Sequence, residues 1–371
     1  MKLFIPGPVT TRPEVRAALA QDFAPWDNDF RPIYADVRAR LLAIAGGDER
    51  GHTTLMLQGC GHYATEAALR TFIPAGGKIL VPATGAYAAR MVRLAGEAGR
   101  IVVPLPVPSG ERVSPDAVAA ALAADPTISH AGLVYSETGT GICHDVIAIG
   151  QRVAALGRRT ILDAVSAFGA LPLDVSAMPE ADAVIFTPNK CLEGVPGLSM
   201  VIVPIERVAA CAGQAGSWSF DLADIHTNSL RNGPGGWRFT PPAQVLAALA
   251  VALDLYEAEG GRGARLARYT ANMRALHTGI QRIGLTPCLS EAVQGPIVVN
   301  VHSPADPHWN LQAFVDALKR RGVLISNFHN TPFPSFRVGC IGALTPDDMR
   351  EAVAAMGEAL DELGVRAREA A

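Results

Sequence analysis

Lysine is almost missing from this 371-residue chain. Only Lys2, Lys78, Lys190 and Lys319 occur, although lysine and arginine together number 32. The 35 acidic residues are mixed among them without a polybasic block or an acidic tail, which removes nucleic acid and membrane surfaces as expected partners. No apolar run reaches membrane-spanning length. The start, Met1-Lys-Leu-Phe-Ile-Pro-Gly-Pro8, carries neither a long apolar segment nor a cleavage site, so a cytoplasmic location is expected. The six cysteines, Cys60, Cys143, Cys191, Cys211, Cys288 and Cys340, form no CxxC pair, as suits reduced thiols. The nine histidines form no HxxxH or HExxH pattern, and no metal site is expected.

What is present is a globular composition, 49% hydrophobic, long enough for one large core and a second, smaller domain. From about residue 50 to 205, short apolar runs at 54–57, 78–82, 101–105, 132–135, 160–163, 183–186 and 198–203 alternate with helix-compatible stretches at 64–72, 88–98, 115–124 and 147–156. That alternation predicts an α/β fold with a large, doubly wound, mostly parallel sheet. Ser114-Pro115 reads as an N-cap and first helical residue. The aromatic and glycine-rich passage holding Ser217-Trp-Ser-Phe and Asn232-Gly-Pro-Gly-Gly-Trp237 reads as a functional loop. Helices over 244–257 and 264–283 lead into a strand over 296–302, with a domain boundary near 255; the remainder, with a helix over 311–320, short apolar runs at 323–325 and 336–339 and a closing helix over 346–363, reads as a small α+β domain. The expected division is a large domain over 14–255 and a small one over 1–13 and 256–371, with a fraying end from Arg366 to Ala371.

One of the four lysines closes an apolar run, Ala183-Val-Ile-Phe-Thr-Pro-Asn-Lys190, just before the glycine-bearing Gly194-Val-Pro-Gly197. Arginine supplies a fixed cation at least as well. A position that keeps lysine against that habit calls for an amine that can lose its proton and act as a nucleophile. Earlier, Thr160-Ile-Leu-Asp163 ends a neighbouring run on a carboxylate. Taken singly, these are a helix-capping aspartate and a solvated lysine. Together they make the pair that pyridoxal phosphate needs: Lys190 to hold the cofactor aldehyde and then move the substrate proton, and Asp163 to keep the pyridine nitrogen protonated. Gln58-Gly-Cys-Gly61-His62, placed before a helix, supplies a candidate phosphate cradle at Gly61 and His62. Tyr87, at the end of the next strand, is a candidate ring to stack on the cofactor.

The chain resembles the class V, fold type I pyridoxal phosphate aminotransferases nearly end to end, and within them is most similar to the 2-aminoethylphosphonate:pyruvate transaminases. The likeness is carried by Pro6-Gly-Pro-Val-Thr-Thr11, Trp26-Asp-Asn-Asp29, Leu57-Gln-Gly-Cys-Gly61, Gly85-Ala-Tyr-Ala-Ala-Arg-Met91, Ser136-Glu-Thr138, Asp163-Ala-Val-Ser-Ala-Phe-Gly169, Asn189-Lys-Cys-Leu-Glu-Gly-Val-Pro-Gly197, Trp237-Arg-Phe-Thr240 and Phe336-Arg-Val-Gly339. Several of these motifs are shared with alanine:glyoxylate transaminases. The resemblance implies that Lys190 forms the Schiff base, that Asp163 pairs with the pyridinium and that Val165 lies against the ring. It implies Tyr87 as the stacking aromatic and Gly61, His62 and Asn189 at the phosphate. Thr240 would reach the phosphate from the neighbouring subunit, so a homodimer with shared sites is implied, and Arg337 would bind the acidic group of a small amino donor or 2-oxo acid. Alternatives are an alanine or serine:glyoxylate transaminase, or a fold type I lyase or desulfurase. The chain departs from the phosphonate pattern at Cys60, at Gly139, where a hydroxyl residue is common, and at Ser326-Asn-Phe-His329, which replaces a Tyr-Pro-Gly-Lys-like stretch.

Overall fold

Seven apolar runs of the first two hundred residues line up as one sheet in a computed structural model that describes residues 1–370. Ala371, the last residue of the expected small domain and of its fraying end, lies outside them. In chain order the strands are β1 His52–Gln58, β2 Lys78–Ala83, β3 Ile101–Pro106, β4 Ile128–Val134, β5 Arg159–Asp163, β6 Ala181–Phe186 and β7 Leu198–Pro204. Their spatial order is β1-β7-β6-β5-β4-β2-β3. β2, β3, β4, β5 and β6 pair parallel, whereas β7 runs antiparallel to both β1 and β6. The sheet is therefore mostly parallel, with one reversed strand.

Both faces of the sheet are covered, which explains why the central strands read as unbroken apolar runs. Successive residues point to opposite sides. Leu162, Val184 and Met200 join a cluster with Leu41, Leu122, Val153 and Leu249. Ile161, Ile185 and Val201 join one with Leu69, Phe72, Met91 and Leu222 on the other face. Each fully buried leucine or isoleucine contributes roughly 1.5–3 kcal/mol. Helix Pro115–Ala124 starts as its sequence predicts, with Ser114 Oγ accepting from the Ala117 N–H at 3.3 Å.

Helices Arg31–Ile44 and Leu222–Asn232 lie outside the expected pattern. The second sits inside the passage read as a loop. Asp221 caps it by accepting from the Ala223 and Asp224 N–H groups, and Leu222 and Ile225 are its buried anchors. Val298–His302 and Ser335–Gly339 form an antiparallel pair, and Lys2–Leu3 pairs with Val323–Leu324. Phe4, Leu276, Val299, Phe314, Phe336 and Met356 share a further buried cluster. The chain end does not fray as expected: the Arg366 and Ala367 N–H groups donate to Asp306 Oδ2 at 2.7 and 2.9 Å, and Ala370 bridges to Pro304. Among the described residues no helix is long and apolar enough to cross a membrane, and no three His, Cys, Asp or Glu side chains are grouped to hold a metal.

Candidate active site

The carboxyl ends of the parallel strands open on one edge of the sheet, where this kind of fold forms its clefts. A cavity of about 150 Å³ lies there, lined by Gly61, His62, Tyr87, Asp163, Val165, Asn189 and Lys190. Seven of the nine site residues expected from sequence are thus brought together; Thr240 and Arg337 lie outside the lining. β5 and β6 are neighbours in register, Asp163 opposite Ile185, so the turn after β6 carries Lys190 back beside Asp163. That turn is held from outside. Arg265, almost fully buried, donates to the Cys191 carbonyl, and Tyr269 Oη donates to Glu193 Oε1 at 2.7 Å.

Lys190 is 8% exposed and donates from Nζ to the Pro6 carbonyl at 2.7 Å. The N-terminal segment therefore passes directly over the amine. Gly7 makes the crossing possible: its φ is +134°, and a Cβ there would come within 2.4 Å of Lys190 Cδ. Burial pushes the Lys190 amine down to about 8, with Arg337 adding repulsion and Cys191 and Asp163 opposing. Asp163, half-buried in the cavity wall, is lifted by burial to about 6. The Val165 N–H, donating to Asp163 Oδ1 at 2.9 Å, and the Lys190 and Arg90 charges pull the other way.

The phosphate-cradle expectation has a local physical basis. Helix Gly61–Phe72 has Cys60 at its N-cap with no side-chain capping bond, which leaves first-turn N–H groups for a ligand. Gly61 packs so close to Val165 that a Cβ would lie 2.6 Å from Val165 Cγ2. Thr187 also lines the cavity; it is 3% exposed, and among the described residues its Oγ1 has no hydrogen-bond partner. A buried hydroxyl without a partner is costly and fits a ligand acceptor. Sequence reasoning passed over Thr187, whose signal was its place three residues before Lys190.

Glu137 was also passed over as a site residue. Fully buried, it accepts from the N–H groups of Gly139 at 3.1 Å, Tyr87 at 3.2 Å and Ala88 at 3.4 Å, and burial pushes its carboxyl up to about 7. It joins the segment bearing Tyr87 to the loop that reaches Arg337. Arg337 enters from the strand Ser335–Gly339, 4% exposed, with Nε donating to Ser326 Oγ at 3.3 Å and Nη1 to the Thr138 carbonyl at 3.4 Å. With the Asn330 amide oriented to satisfy its neighbours, the amide oxygen accepts from Arg337 Nη1 at 3.1 Å. Phe328 covers the guanidinium at 4.5 Å. A Cβ on Gly139 would lie 3.4 Å from Asn330 Cβ. The departures at Gly139 and Ser326–His329 therefore converge on this one arginine. Thr240 is exposed on the flank of the domain, its carbonyl accepting from Gln58 Nε2.

The sequence profile of the family described as aminotransferase class-V matches residues 26–338. The chain belongs to the class-V aminotransferases. Among its class-V relatives, 2-aminoethylphosphonate:pyruvate transaminase of Burkholderia ambifaria is 43% identical over 98% of this chain and 96% of its own. The enzyme of the same description from Pseudomonas aeruginosa is 42% identical over 98% and 97%. The crystal structure of pyridoxamine-pyruvate aminotransferase from Mesorhizobium loti superposes with a TM-score of 0.88 at 27% identity, covering 99% of this chain and 93% of that one. As a class-V aminotransferase the chain is a pyridoxal 5'-phosphate enzyme of fold type I. The cavity fits that cofactor: an uncapped helix N-terminus and the unpartnered Thr187 hydroxyl suit a phosphate, Asp163 suits a ring nitrogen, and the Lys190 amine suits an aldehyde.

Proposed function

We propose that the chain is a 2-aminoethylphosphonate:pyruvate transaminase, converting these substrates to phosphonoacetaldehyde and L-alanine in two half-reactions at one site. The observation that carries the reading is the buried Arg337, a guanidinium fork close enough to Lys190 for its charge to help lower the pKa of that buried amine. The identity with transaminases of that description over nearly the whole chain supports it. Pyridoxal phosphate, when bound, supplies an aldehyde that exchanges amines and a ring that accepts electrons from a breaking C–H bond. Lys190 would hold that aldehyde and would serve as the general base at the amine-bearing carbon. Asp163 keeps the ring nitrogen protonated. Gly61, His62 and Asn189 bind the phosphate, and Val165 and Tyr87 flank the ring. Arg337 makes paired, charge-assisted hydrogen bonds to the phosphonate of the donor and then to the carboxylate of pyruvate.

The same reading makes the protein a cytoplasmic homodimer, divided into a large domain over 14–255 and a small one over 1–13 and 256–371, with Thr240 serving the neighbouring subunit's phosphate. Its support is the exposed apolar surface around Thr240, where Trp218 and Phe239 are 68% and 58% exposed beside a cavity of about 260 Å³. The test is a comparison of kcat/KM for 2-aminoethylphosphonate with pyruvate and for alanine or serine with glyoxylate, on a preparation whose mass in solution is twice 38.9 kDa. Alanine formation from 2-aminoethylphosphonate as the fastest reaction is expected. No turnover of that donor where alanine and glyoxylate react would refute it.

A further inference from the structure

Lys190, Asp163 and Arg90 are the lysine, carboxylate and arginine side chains that line the cofactor cavity. In the reading above, Lys190 is committed to the aldehyde and Asp163 to the ring nitrogen. The phosphate, carrying about −1.5 to −2 at neutral pH, is then left with neutral donors and one uncommitted cation. Arg90 stands one turn after Tyr87 on helix Ala86–Glu97, so both side chains project from the same face. Its guanidinium lies over the Tyr87 ring, 5.0 Å from the centroid.

The two nearest arginines on these helices are paired. Arg93 on the same helix pairs with Glu97 at 2.8 Å, and Arg70 on the adjoining helix pairs with Glu66 at 2.8 Å. Arg90 has no carboxylate within ion-pair distance among the described residues, and i+4 from it is Leu94. Its charge reaches into the cavity, where it adds to the burial-driven lowering of the His62 and Lys190 pKa values and opposes the rise at Asp163. Arg90 shares the cavity lining with Cys60, Gly61 and His62 of the cradle.

We propose that Arg90 is a binding residue for the cofactor phosphate, held ready against Tyr87 and free of any competing carboxylate. The inference rests on the cavity being the pyridoxal phosphate site, and the chemistry it recognises, a phosphoryl dianion, is shared with the phosphonate of the donor. The experiment titrates apoenzyme with pyridoxal phosphate and separately with pyridoxal, which lacks the phosphate, following the absorbance of bound cofactor, with inorganic phosphate as competitor. In Arg90→Gln the apparent Kd for pyridoxal phosphate should rise about tenfold or more, while that for pyridoxal stays within about twofold. Inorganic phosphate should lose its ability to compete, and Arg90→Lys should recover part of the affinity. Unchanged affinity for pyridoxal phosphate would overturn the proposal. Equal losses for both ligands would also overturn it, assigning Arg90 to packing on Tyr87, as would unchanged cofactor affinity with a raised KM for 2-aminoethylphosphonate alone. A wrong donor assignment leaves the cofactor titration untouched, so the two readings fail separately.

Discussion

A buried amine whose pKa has fallen to about 8 is partly uncharged at neutral pH; at Lys190 burial is the main cause, and neighbouring charges adjust it. Arg337 favours the neutral amine and Asp163 the charged one. In the proposed function the arginine does two things with one charge: it attracts the substrate's anionic group and helps free the lysine that works on it. Replacing Arg337 by Ala removes the repulsion, which favours the protonated amine and raises its pKa. The pH at which cofactor uptake by apoenzyme is half-maximal should move up by roughly 0.5–1 unit, so uptake at pH 7 slows. A profile that stays in place would separate Arg337 from Lys190 electrostatically. Lys190 and Asp163 were legible in the sequence because their chemistry demands particular residue types. Glu137, Thr187 and Arg90 were not, because each matters only through what three separate strands bring beside it. Ser136-Glu-Thr138 marks the family likeness in sequence, but what its carboxylate does shows only when it is seen taking N–H groups from both Tyr87 and Gly139.

At the level of elements, the site depends on strands being held in order at the edge away from the cavity as well. Asp182, fully buried near the start of β6, accepts from His130 of β4 at 3.1 Å, from Arg159 Nε of β5 at 2.8 Å and from Arg207 at 2.9 Å. These partners hold its carboxyl well below the usual aspartate range despite burial. A depressed pKa stabilises the fold above the unfolded value and loses that effect as pH falls through the folded one. Asp182→Asn should therefore cost about 3 kcal/mol at pH 7 and progressively less on acidification below about pH 4. Urea midpoints at the two pH values check this, and coincident midpoints at pH 7 would contradict it. The strands from β1 to β7 were legible because both faces are buried and the runs are uniformly apolar. Helix Leu222–Asn232 was hidden because His226, Thr227, Asn228 and Ser229 are poor helix formers, so its Asp221 cap was the only clear local signal.

Across the whole molecule, the working groups come from distant stretches of chain. The N-terminal segment pairs with Val323–Leu324, places Phe4 in the core around Phe314 and Phe336, and then lays the Pro6 carbonyl on Lys190. Arg337 arrives from the other end of the sequence. Lysine and arginine thus meet only when the sheet's clusters and the one around Phe314 and Phe336 are all formed, so the proposed substrate recognition depends on complete folding. The central claim is that Lys190 and Arg337 act together on 2-aminoethylphosphonate. Its most direct test is the visible absorbance of the bound cofactor while 2-aminoethylphosphonate is added without pyruvate. The band should be lost with release of one equivalent of phosphonoacetaldehyde per site, should return on adding pyruvate, and should be absent in Lys190→Ala. A band that survives saturating 2-aminoethylphosphonate unchanged would contradict the account.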